Sequence, residues 1–254
     1  MARGVVITGA SRGIGRAIAL ELARHGYSLL LVARRESDLK SLVSELGSSC
    51  SAECFVADVT SLDAGARIRD AALHAFGPPW ALVNNAGLAE SAPLAKTEDE
   101  LIQRHMELNF LAPMRLMRAV MPRMAEAGCG RVVNLCSTAA LAGYPYVSAY
   151  CASKHALLGA TRALAREFAQ KGITVNAICP GYVRTEMFEQ TVANIARKSG
   201  LDEVGAEEKL KRLSPQVRVY EAAEVAAAAA YLLSDAAAGV NGQALSIDGA
   251  EIEH

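Results

Sequence analysis

The 254-residue sequence lacks the features that define several specialised classes of protein. Its 26 basic and 27 acidic residues nearly cancel, which argues against a general electrostatic grip on nucleic acid or on anionic lipid. Its six cysteines form no C-x-x-C pair and have no nearby histidine cluster, so we expect reduced thiols, no metal site and a cytoplasmic protein. The longest apolar run near the C-terminus, 225–233, is too short to cross a bilayer, and we expect neither a membrane role nor a signal peptide.

What the sequence does contain is a regular alternation of short apolar runs and helix-length segments. Apolar residues make up 52% and charged residues 21%, which excludes a disordered chain. The alternation predicts a parallel sheet with helices on both faces, and no linker or repeat divides it, so we predict one domain. Residues 182–216 carry no strand signal, and we interpret them as one or two exposed helices that form a lid. The predicted strands are 5–8, 29–33, 54–57, 81–84, 132–136, 174–179 and 244–247, and the predicted helices are 13–25, 36–46, 61–76, 97–126, 149–171 and 221–234.

A glycine-rich turn follows the first predicted strand. Residues 8–15 read TGASRGIG, and a predicted helix comes directly after them. Glycines allow a tight turn in which backbone N–H groups approach a ligand closely, and the positive end of the helix dipole suits a pyrophosphate. An ordinary strand-to-helix turn is the alternative, but the position between a strand and a helix favours dinucleotide binding.

The end of the second predicted strand indicates which dinucleotide binds. At this place an acidic residue holds the ribose hydroxyls of NAD, whereas an arginine accepts the 2′-phosphate of NADP. Here Ala33 is followed by Arg34 and Arg35, and Arg12 lies in the glycine turn. Two guanidinium groups can fork onto one phosphate, so we predict NADP(H). Two acidic residues in the following helix keep NAD(H) as the alternative.

Four side chains form a candidate catalytic group. Tyr150 and Lys154 lie four residues apart in a helical pattern and therefore share one helical face. A nearby ammonium lowers the pKa of a phenol, which can then pass a proton to or from a substrate oxygen. Ser137 ends a predicted strand and can orient that oxygen, although Thr138 competes for the role. Asn109 is a poor helix former inside a predicted helix and can hold a water that relays protons to Lys154.

With these residues in place, the sequence resembles the short-chain dehydrogenase/reductase family over essentially its whole length. The resemblance implies a single-domain Rossmann fold, a doubly wound, seven-stranded parallel sheet with helices on both faces. It also implies an NAD(P)-dependent oxidoreductase acting on CH–OH groups, closest to 3-oxoacyl thioester reductases and related secondary-alcohol dehydrogenases. The motifs that carry it, in the family's order and spacing, are the glycine turn at 8–15, Asp58-Val59-Thr60, Asn84-Asn85-Ala86-Gly87, Ser137, Tyr150-x-x-x-Lys154 and Pro180-Gly181-x-x-x-Thr185.

The resemblance also implies roles for individual residues. The catalytic tetrad that it implies consists of Asn109, Ser137, Tyr150 and Lys154. The cofactor-binding residues that it implies, together with those argued above, are Gly9, Ser11, Arg12, Gly13, Ile14, Gly15, Arg34, Arg35, Asp58, Val59, Asn85, Ala86, Gly87, Tyr150, Lys154, Pro180, Gly181, Val183 and Thr185.

The residues expected to face the substrate are mostly apolar. This character suits a small-molecule ketone or alcohol with an apolar body, such as a 3-oxoacyl thioester on CoA or a carrier protein, or an aryl or cyclic ketone. The positions where 3-hydroxybutyrate dehydrogenases hold a carboxylate carry small or apolar residues here, so we disfavour that substrate. The residues expected to face the substrate are Ala89, Ser137, Ala139, Tyr144, Tyr150, Met187 and Phe188.

Other interpretations stay open. An NAD-dependent 3-hydroxyacyl or secondary-alcohol dehydrogenase is one alternative, and a non-catalytic dinucleotide-sensing protein is another. Small residues at helical spacing, such as the alanines at 226–230, allow close packing of helices between subunits, and the resemblance implies a homodimer or homotetramer. The chain departs from the family where Ala250 follows Asp248-Gly249, and it ends in an acidic tail at 251–254 whose role the sequence leaves open.

Overall fold

The computed structural model describes residues 3–47 and 50–252, so the last two residues of the acidic tail lie outside the described part. Seven parallel strands form one sheet in the order β3-β2-β1-β4-β5-β6-β7, which confirms the predicted doubly wound fold. Each strand lies within two residues of its predicted bounds. The strands are Gly4–Thr8 (β1), Ser28–Ala33 (β2), Ala52–Val56 (β3), Ala81–Asn84 (β4), Gly130–Leu135 (β5), Ile173–Pro180 (β6) and Ala244–Ile247 (β7).

Helices cover both faces of this sheet and create two separate hydrophobic cores. Successive strand residues point to opposite faces. Val5 and Ile7 of β1 therefore enter one core, and Val6 enters the other. Both faces are buried, which is why the central strands are continuous apolar runs and do not alternate with polar residues. The helices are Gly13–Arg24 (α1), Glu36–Leu46 (α2), Ala64–Phe76 (α3), Asp99–Met106 (α4), Ala112–Glu126 (α5), Ser148–Phe168 (α6), Glu186–Ser199 (α7), Glu203–Lys211 (α8) and Ala222–Leu233 (α9).

The predicted helix at 97–126 is interrupted, and this corrects the sequence analysis. A π-helical turn, Glu107–Leu111, separates α4 from α5. A π turn inserts a residue into the helical repeat, and such turns recur at functional sites. Asn109 lies inside it, so this asparagine is not part of a regular α-helix as expected from the sequence.

The segment without a strand signal contains two helices, α7 and α8, within the predicted range of 182–216. They pack around a small third core that includes Phe188, Val192 and Leu210. Thr185 caps α7, because its hydroxyl accepts a hydrogen bond from the Phe188 N–H at 3.4 Å.

Three further features of the described residues concern membrane spans, metal sites and thiols. None of the described helices is long and apolar enough to cross a membrane. No group of three or more His, Cys, Asp or Glu side chains within 3–47 and 50–252 is arranged to hold a metal ion. The six cysteines are free thiols, and three of them, Cys136, Cys151 and Cys179, are buried.

Glu224 links the start of α9 to Arg218 and supplies a test of stability. Its carboxylate accepts two hydrogen bonds from the Arg218 guanidinium, each 2.7 Å long, and a third from the Glu221 N–H at 2.9 Å. The Arg218 pairing lowers the pKa of Glu224 to about 2. Because the pair is partly exposed, solvent screening reduces its contribution, and we expect Glu224→Gln to cost about 1 kcal/mol at pH 7.

The pH dependence of this cost follows from the depressed pKa. The stabilisation is complete above the ordinary glutamate pKa of about 4.5 and is lost as the pH falls toward 2. Urea unfolding of wild type and variant should therefore give a difference in unfolding free energy that shrinks between pH 5 and pH ~2.5. Glu53→Gln, on an exposed position of β3, is the control and should show no such difference. An equal difference for Glu224→Gln at both pH values would contradict the ion-pair explanation.

Candidate active site

A cleft opens at the carboxyl edge of the sheet, between β1 and β4. The strand order reverses at this point, because β2 continues on one side of β1 and β4 on the other. In open α/β sheets, ligands bind in the crevice at such a switch point. The cleft has a volume of about 860 Å³ and extends from the ends of β2 and β3, across the glycine turn, to α6 and the start of α7.

The glycine turn forms the floor of this cleft and is held by the segment after β4. Gly9 has φ +64°, which favours glycine, and a β-carbon at Gly15 would collide with the Gly9 carbonyl oxygen. The Asn85 side chain donates hydrogen bonds to the carbonyl oxygens of Thr8 (2.9 Å) and Gly9 (3.1 Å). The buried Thr8 hydroxyl accepts hydrogen bonds from the N–H groups of Asn85 (3.0 Å) and Ala86 (3.2 Å). Asn85 therefore lines the cleft while its amide fixes the turn.

Three arginines predicted to contact a phosphate line one end of the cleft, and the structure distinguishes them. Arg12 forms an ion pair with Glu186, and Arg35 lies 3.4 Å from the Asp38 carboxylate. Arg34 is exposed and forms no ion pair with any described residue. Arg34 is thus the arginine at this end whose charge is left for a ligand.

Asp58 lies opposite Arg34 at the same end of the cleft. Its carboxylate accepts hydrogen bonds from the Thr60 hydroxyl (2.7 Å) and the Thr60 N–H (3.0 Å). These hydrogen bonds, and to a smaller degree the charge of Arg34, lower the pKa of Asp58. The carboxylate is therefore fixed and ionised at the mouth of the cleft.

Tyr150, Ser137 and Lys154 meet at the other end of the cleft. The Ser137 hydroxyl lies close enough to the Tyr150 hydroxyl to interact with it. The Lys154 Nζ lies 5.8 Å from the centre of the Tyr150 ring and donates a 2.7 Å hydrogen bond to the Leu135 carbonyl oxygen at the end of β5. Tyr150 and Lys154 lie on one face of α6, as their spacing predicts. Ser137 lies two residues beyond the end of β5.

The acidity of the phenol differs from the expectation based on spacing. Burial raises the pKa of Tyr150 to about 12, and the interaction with Ser137 only partly opposes that shift. Burial also lowers the pKa of Lys154. The Lys154 ammonium is directed at a backbone carbonyl oxygen and the phenol is buried, so the spacing of the two residues does not by itself give Tyr150 the lowered pKa expected from the sequence.

Asn109 reaches the site from the π turn. Its side-chain amide donates hydrogen bonds to the Leu88 carbonyl oxygen and the Ser153 hydroxyl, each 3.0 Å long, and its oxygen accepts one from the Leu88 N–H at 3.0 Å. A β-carbon at Gly87 would lie 3.1 Å from that oxygen and 3.6 Å from the Lys154 Nζ. The asparagine therefore positions the segment after β4 beside the lysine.

His105 is a neighbour of Tyr150 that the sequence analysis missed. Its ring is fully buried and packs edge-on against the Tyr150 ring, with centroids 6.2 Å apart. One ring nitrogen bonds the Leu101 carbonyl oxygen at 2.8 Å, and the other accepts from the Glu90 N–H at 3.1 Å. These partners indicate the tautomer in which Nδ1 carries the proton and Nε2 accepts. A lone histidine in an amphipathic helix gave no signal of this contact.

The chain also matches a known protein family. The family model described as short chain dehydrogenase matches residues 3–196, which is most of the chain. The chain belongs to the short-chain dehydrogenase family. This confirms the resemblance drawn from the motifs, and members of this family are oxidoreductases that act on CH–OH and ketone groups.

Relatives of this dehydrogenase include reductases and a dehydrogenase. An A-factor type gamma-butyrolactone 1′-reductase of Streptomyces virginiae is 37% identical and is matched over 96% of this chain and 93% of its own length. A D-beta-hydroxybutyrate dehydrogenase of Rhizobium meliloti is 33% identical, with 98% of each chain covered. A solved structure of a variant actinorhodin polyketide ketoreductase with NADPH has a TM-score of 0.94 at 33% identity, covering 100% of this chain and 98% of that one.

The structure of this dehydrogenase brings most of the predicted cofactor residues to one cleft. Gly15, Gly181 and Val183 lie beside it and do not line it; Val183 is buried in the core next to α9. The predicted residues that line the cleft are Gly9, Ser11, Arg12, Gly13, Ile14, Arg34, Arg35, Asp58, Val59, Asn85, Ala86, Gly87, Tyr150, Lys154, Pro180 and Thr185.

The predicted substrate residues are more scattered. Met187 lines the cleft, but Phe188 does not, because its side chain is buried between α7 and α8. Ala139 is buried behind Ser137, and Ala89 is exposed outside the cleft. Tyr144 is half-buried and bonds Glu251. The prediction for Phe188 was wrong, because the sequence of an exposed helix pair does not show which apolar residue faces its neighbour.

One wall of the cleft was not foreseen from the sequence. Residues of α4 and the π turn, including Gln103, Met106 and Leu111, line it opposite the first turn of α7. They carry no recognisable motif. Gln103 and Met106 lie in the second half of α4, and Leu111 lies in the π turn that separates α4 from α5.

Proposed function

We propose that this dehydrogenase transfers a hydride between NADP(H) and a ketone or secondary alcohol with an apolar body. One observation carries the proposal. Tyr150 and Lys154 line one end of a continuous cleft, with Ser137 beside Tyr150, and the glycine turn and Arg34 line the other end. A dinucleotide spans such a cleft with its phosphates on the turn and its reactive ring beside the catalytic hydroxyl groups.

The residues present fit NADP(H). A β-carbon at Gly15 would close the turn that approaches the pyrophosphate, and Arg34 has no ion-pair partner among the described side chains. The solved polyketide ketoreductase with NADPH, at TM-score 0.94, supports the same choice. When bound, the cofactor supplies the hydride. NAD(H) is the alternative, which the acidic residues Glu36 and Asp38 just after β2 keep open.

The protein's own residues manage the proton. Tyr150, with a pKa raised to about 12 by burial, is neutral at physiological pH and can donate its proton to the carbonyl oxygen of a substrate. Ser137 lies beside the phenol and can orient the same oxygen. Lys154 and Asn109 lie close to the segment at Gly87 and Leu88, and we propose that a water held by Asn109 relays the returning proton to Lys154.

Two helices over the mouth complete the site. We propose that α7 and α8 form a lid, because Glu186, Met187 and Gln190 of the first turns of α7 line the cleft. The Arg12–Glu186 ion pair joins this lid to the glycine turn. A lid of this kind excludes water from the reacting atoms.

The substrate class follows from the lining and from the relatives. The cleft lining from α4, the π turn and α7 offers apolar contacts from Met106, Leu108 and Met187, alongside polar groups such as Gln103 and Gln190. This lining supports 3-oxoacyl thioesters and aryl or cyclic ketones as candidates, with CoA or a carrier protein as the group that presents a thioester. The likeness to a polyketide ketoreductase and to a gamma-butyrolactone reductase supports reduction of a ketone.

A substrate panel tests the proposal. The purified enzyme is given NADPH with 3-oxoacyl thioesters, aryl ketones and cyclic ketones, and loss of NADPH absorbance is followed. We expect turnover of at least one class, with NADPH used at least about tenfold better than NADH, as one charge-assisted phosphate contact requires. Tight binding of NADPH without turnover of any ketone or alcohol would support a dinucleotide-sensing protein instead.

A further inference from the structure

The turn that follows β7 has an unusual backbone conformation. Beyond β7, the Asp248 carboxylate accepts hydrogen bonds from the N–H groups of Ala250 (3.2 Å) and Ile252 (3.1 Å). Ala250 has φ +68°, a left-handed conformation that few non-glycine residues adopt. This turn directs Glu251 back toward the carboxyl edge of the sheet.

Glu251 contacts the two segments that flank the catalytic hydroxyl groups. Its carboxylate accepts a hydrogen bond from the Tyr144 hydroxyl. Its other oxygen lies 3.0 Å from where a β-carbon of Gly181 would be. Gly181 follows Pro180, which ends β6 and lines the cleft beside Tyr150. A side chain at residue 181 would compete with the carboxylate for that space.

A chain of contacts connects this carboxylate to the reacting groups. The Tyr144 hydroxyl also lies close to the side chain of Thr138, which directly follows Ser137. Tyr182 is near enough to interact electrostatically with both Tyr150 and Glu251. Glu251 therefore lies beside the end of the cleft that Pro180 and Tyr150 line, next to Gly181 and Tyr144, and just outside the cleft lining itself.

The charge at this position has no compensating cation. Glu251 forms no ion pair within the described part of the chain, and its hydrogen-bond partner is an uncharged phenol. Burial raises the pKa of Glu251, and the hydrogen bond from Tyr144 opposes that shift. An uncompensated carboxylate in a half-buried place repels a second carboxylate more strongly than it would in water.

We propose that Glu251 is a specificity-determining residue that selects against substrates with a free carboxylate and in favour of neutral ketones. The inference rests on the proposed function and refines its substrate class. The sequence already shows no partner for a substrate carboxylate, and Glu251 adds repulsion to that lack. The substrates expected for this enzyme therefore differ from the hydroxybutyrate named for its D-beta-hydroxybutyrate dehydrogenase relative.

The test compares two probes that share the same 3-oxo group, acetoacetate and ethyl acetoacetate. With NADPH in excess, kcat and KM are measured for wild type, Glu251→Gln and the exposed control Glu53→Gln. We expect Glu251→Gln to raise kcat/KM for acetoacetate at least about tenfold, mainly through a lower KM, because two like charges within ~8 Å interact appreciably at the effective dielectric constant of a protein surface. The ester should change by no more than about twofold, and Glu53→Gln should match wild type.

A second variant separates charge from shape. Glu251→Asp keeps the charge and should preserve most of the discrimination between the ester and the acid. If the ratio of the two kcat/KM values is the same in Glu251→Gln as in wild type, the inference is wrong while the proposed function stands. If the aspartate variant relaxes the ratio as much as the glutamine variant does, shape and not charge sets the preference, and the inference is again wrong. If wild type reduces neither probe nor any ketone of the panel, the proposed function fails, and the inference fails with it.

Discussion

Tyr150→Phe is expected to lower kcat for NADPH-dependent ketone reduction by about a thousandfold while changing the affinity for NADPH by no more than about threefold. In the proposed mechanism the phenol donates the proton to the substrate oxygen, so its removal takes away the proton donor. The ring itself stays, so the edge-on packing against His105 and the place beside Lys154 are kept. Steady-state kinetics and a fluorescence titration with NADPH measure the two quantities separately.

The matched control for this substitution is Tyr231→Phe on α9. Tyr231 is 46% exposed and is remote from the cleft lining, so its loss of a hydroxyl group should leave kcat within about twofold of wild type. If Tyr150→Phe retained a tenth or more of the wild-type kcat, another group would have to supply the proton. The pair of Ser137 and Tyr150 would then be a binding feature and not the source of catalysis.

The burial of that phenol shows what a sequence motif leaves out. A spacing of four residues indicates that a tyrosine and a lysine share a helical face, because helical geometry alone determines it. It does not indicate how much water reaches either group or where the ammonium points. Here Lys154 donates to the Leu135 carbonyl oxygen, and burial raises the pKa of Tyr150 to about 12.

The sheet was predictable for a different physical reason. Parallel strands covered on both faces must be apolar throughout, so runs such as that of β1 stand out against amphipathic helices. The π turn was not predictable, because its local sequence differs little from that of a regular helix. What determines it is tertiary: the Asn109 side chain satisfies the Leu88 backbone on both sides, and Ser153 holds it from α6.

The lid illustrates a similar limit. The absence of strand signals at 182–216 indicated exposed helices, and α7 and α8 occupy that range. The amphipathic pattern did not show that Phe188 faces α8 while its neighbour Met187 faces the cleft. Adjacent helical residues point about 100° apart, so an error of one position exchanges a core residue for a cleft residue.

The arginines at the opposite end of the cleft also show what the sequence leaves open, namely which of them is free to contact a phosphate. The sequence places Arg12, Arg34 and Arg35 near one phosphate but does not rank them. The structure pairs Arg12 with Glu186 and Arg35 with Asp38, and only Arg34 of the three has no carboxylate within ion-pair distance among the described residues. A guanidinium already paired with a carboxylate gains less from a phosphate than one that is not.

Arg34→Ser is therefore expected to lower kcat/KM for NADPH by about thirtyfold and to leave kcat/KM for NADH within about threefold. Loss of one charge-assisted contact to the 2′-phosphate costs ~2 kcal/mol, which corresponds to that factor. Arg35→Ser removes the same charge one residue away, but its ion pair with Asp38 limits its contact with the phosphate, so its effect on NADPH should stay below about fivefold. Initial rates of wild type and of both variants, at limiting NADPH and at limiting NADH with one ketone from the panel at saturation, give kcat/KM for each cofactor. Equal effects of the two substitutions would show that the phosphate responds to the summed charge at the end of β2. If the ratio of kcat/KM for NADPH to kcat/KM for NADH were unchanged in Arg34→Ser, cofactor choice would depend on Arg12 and the glycine turn instead.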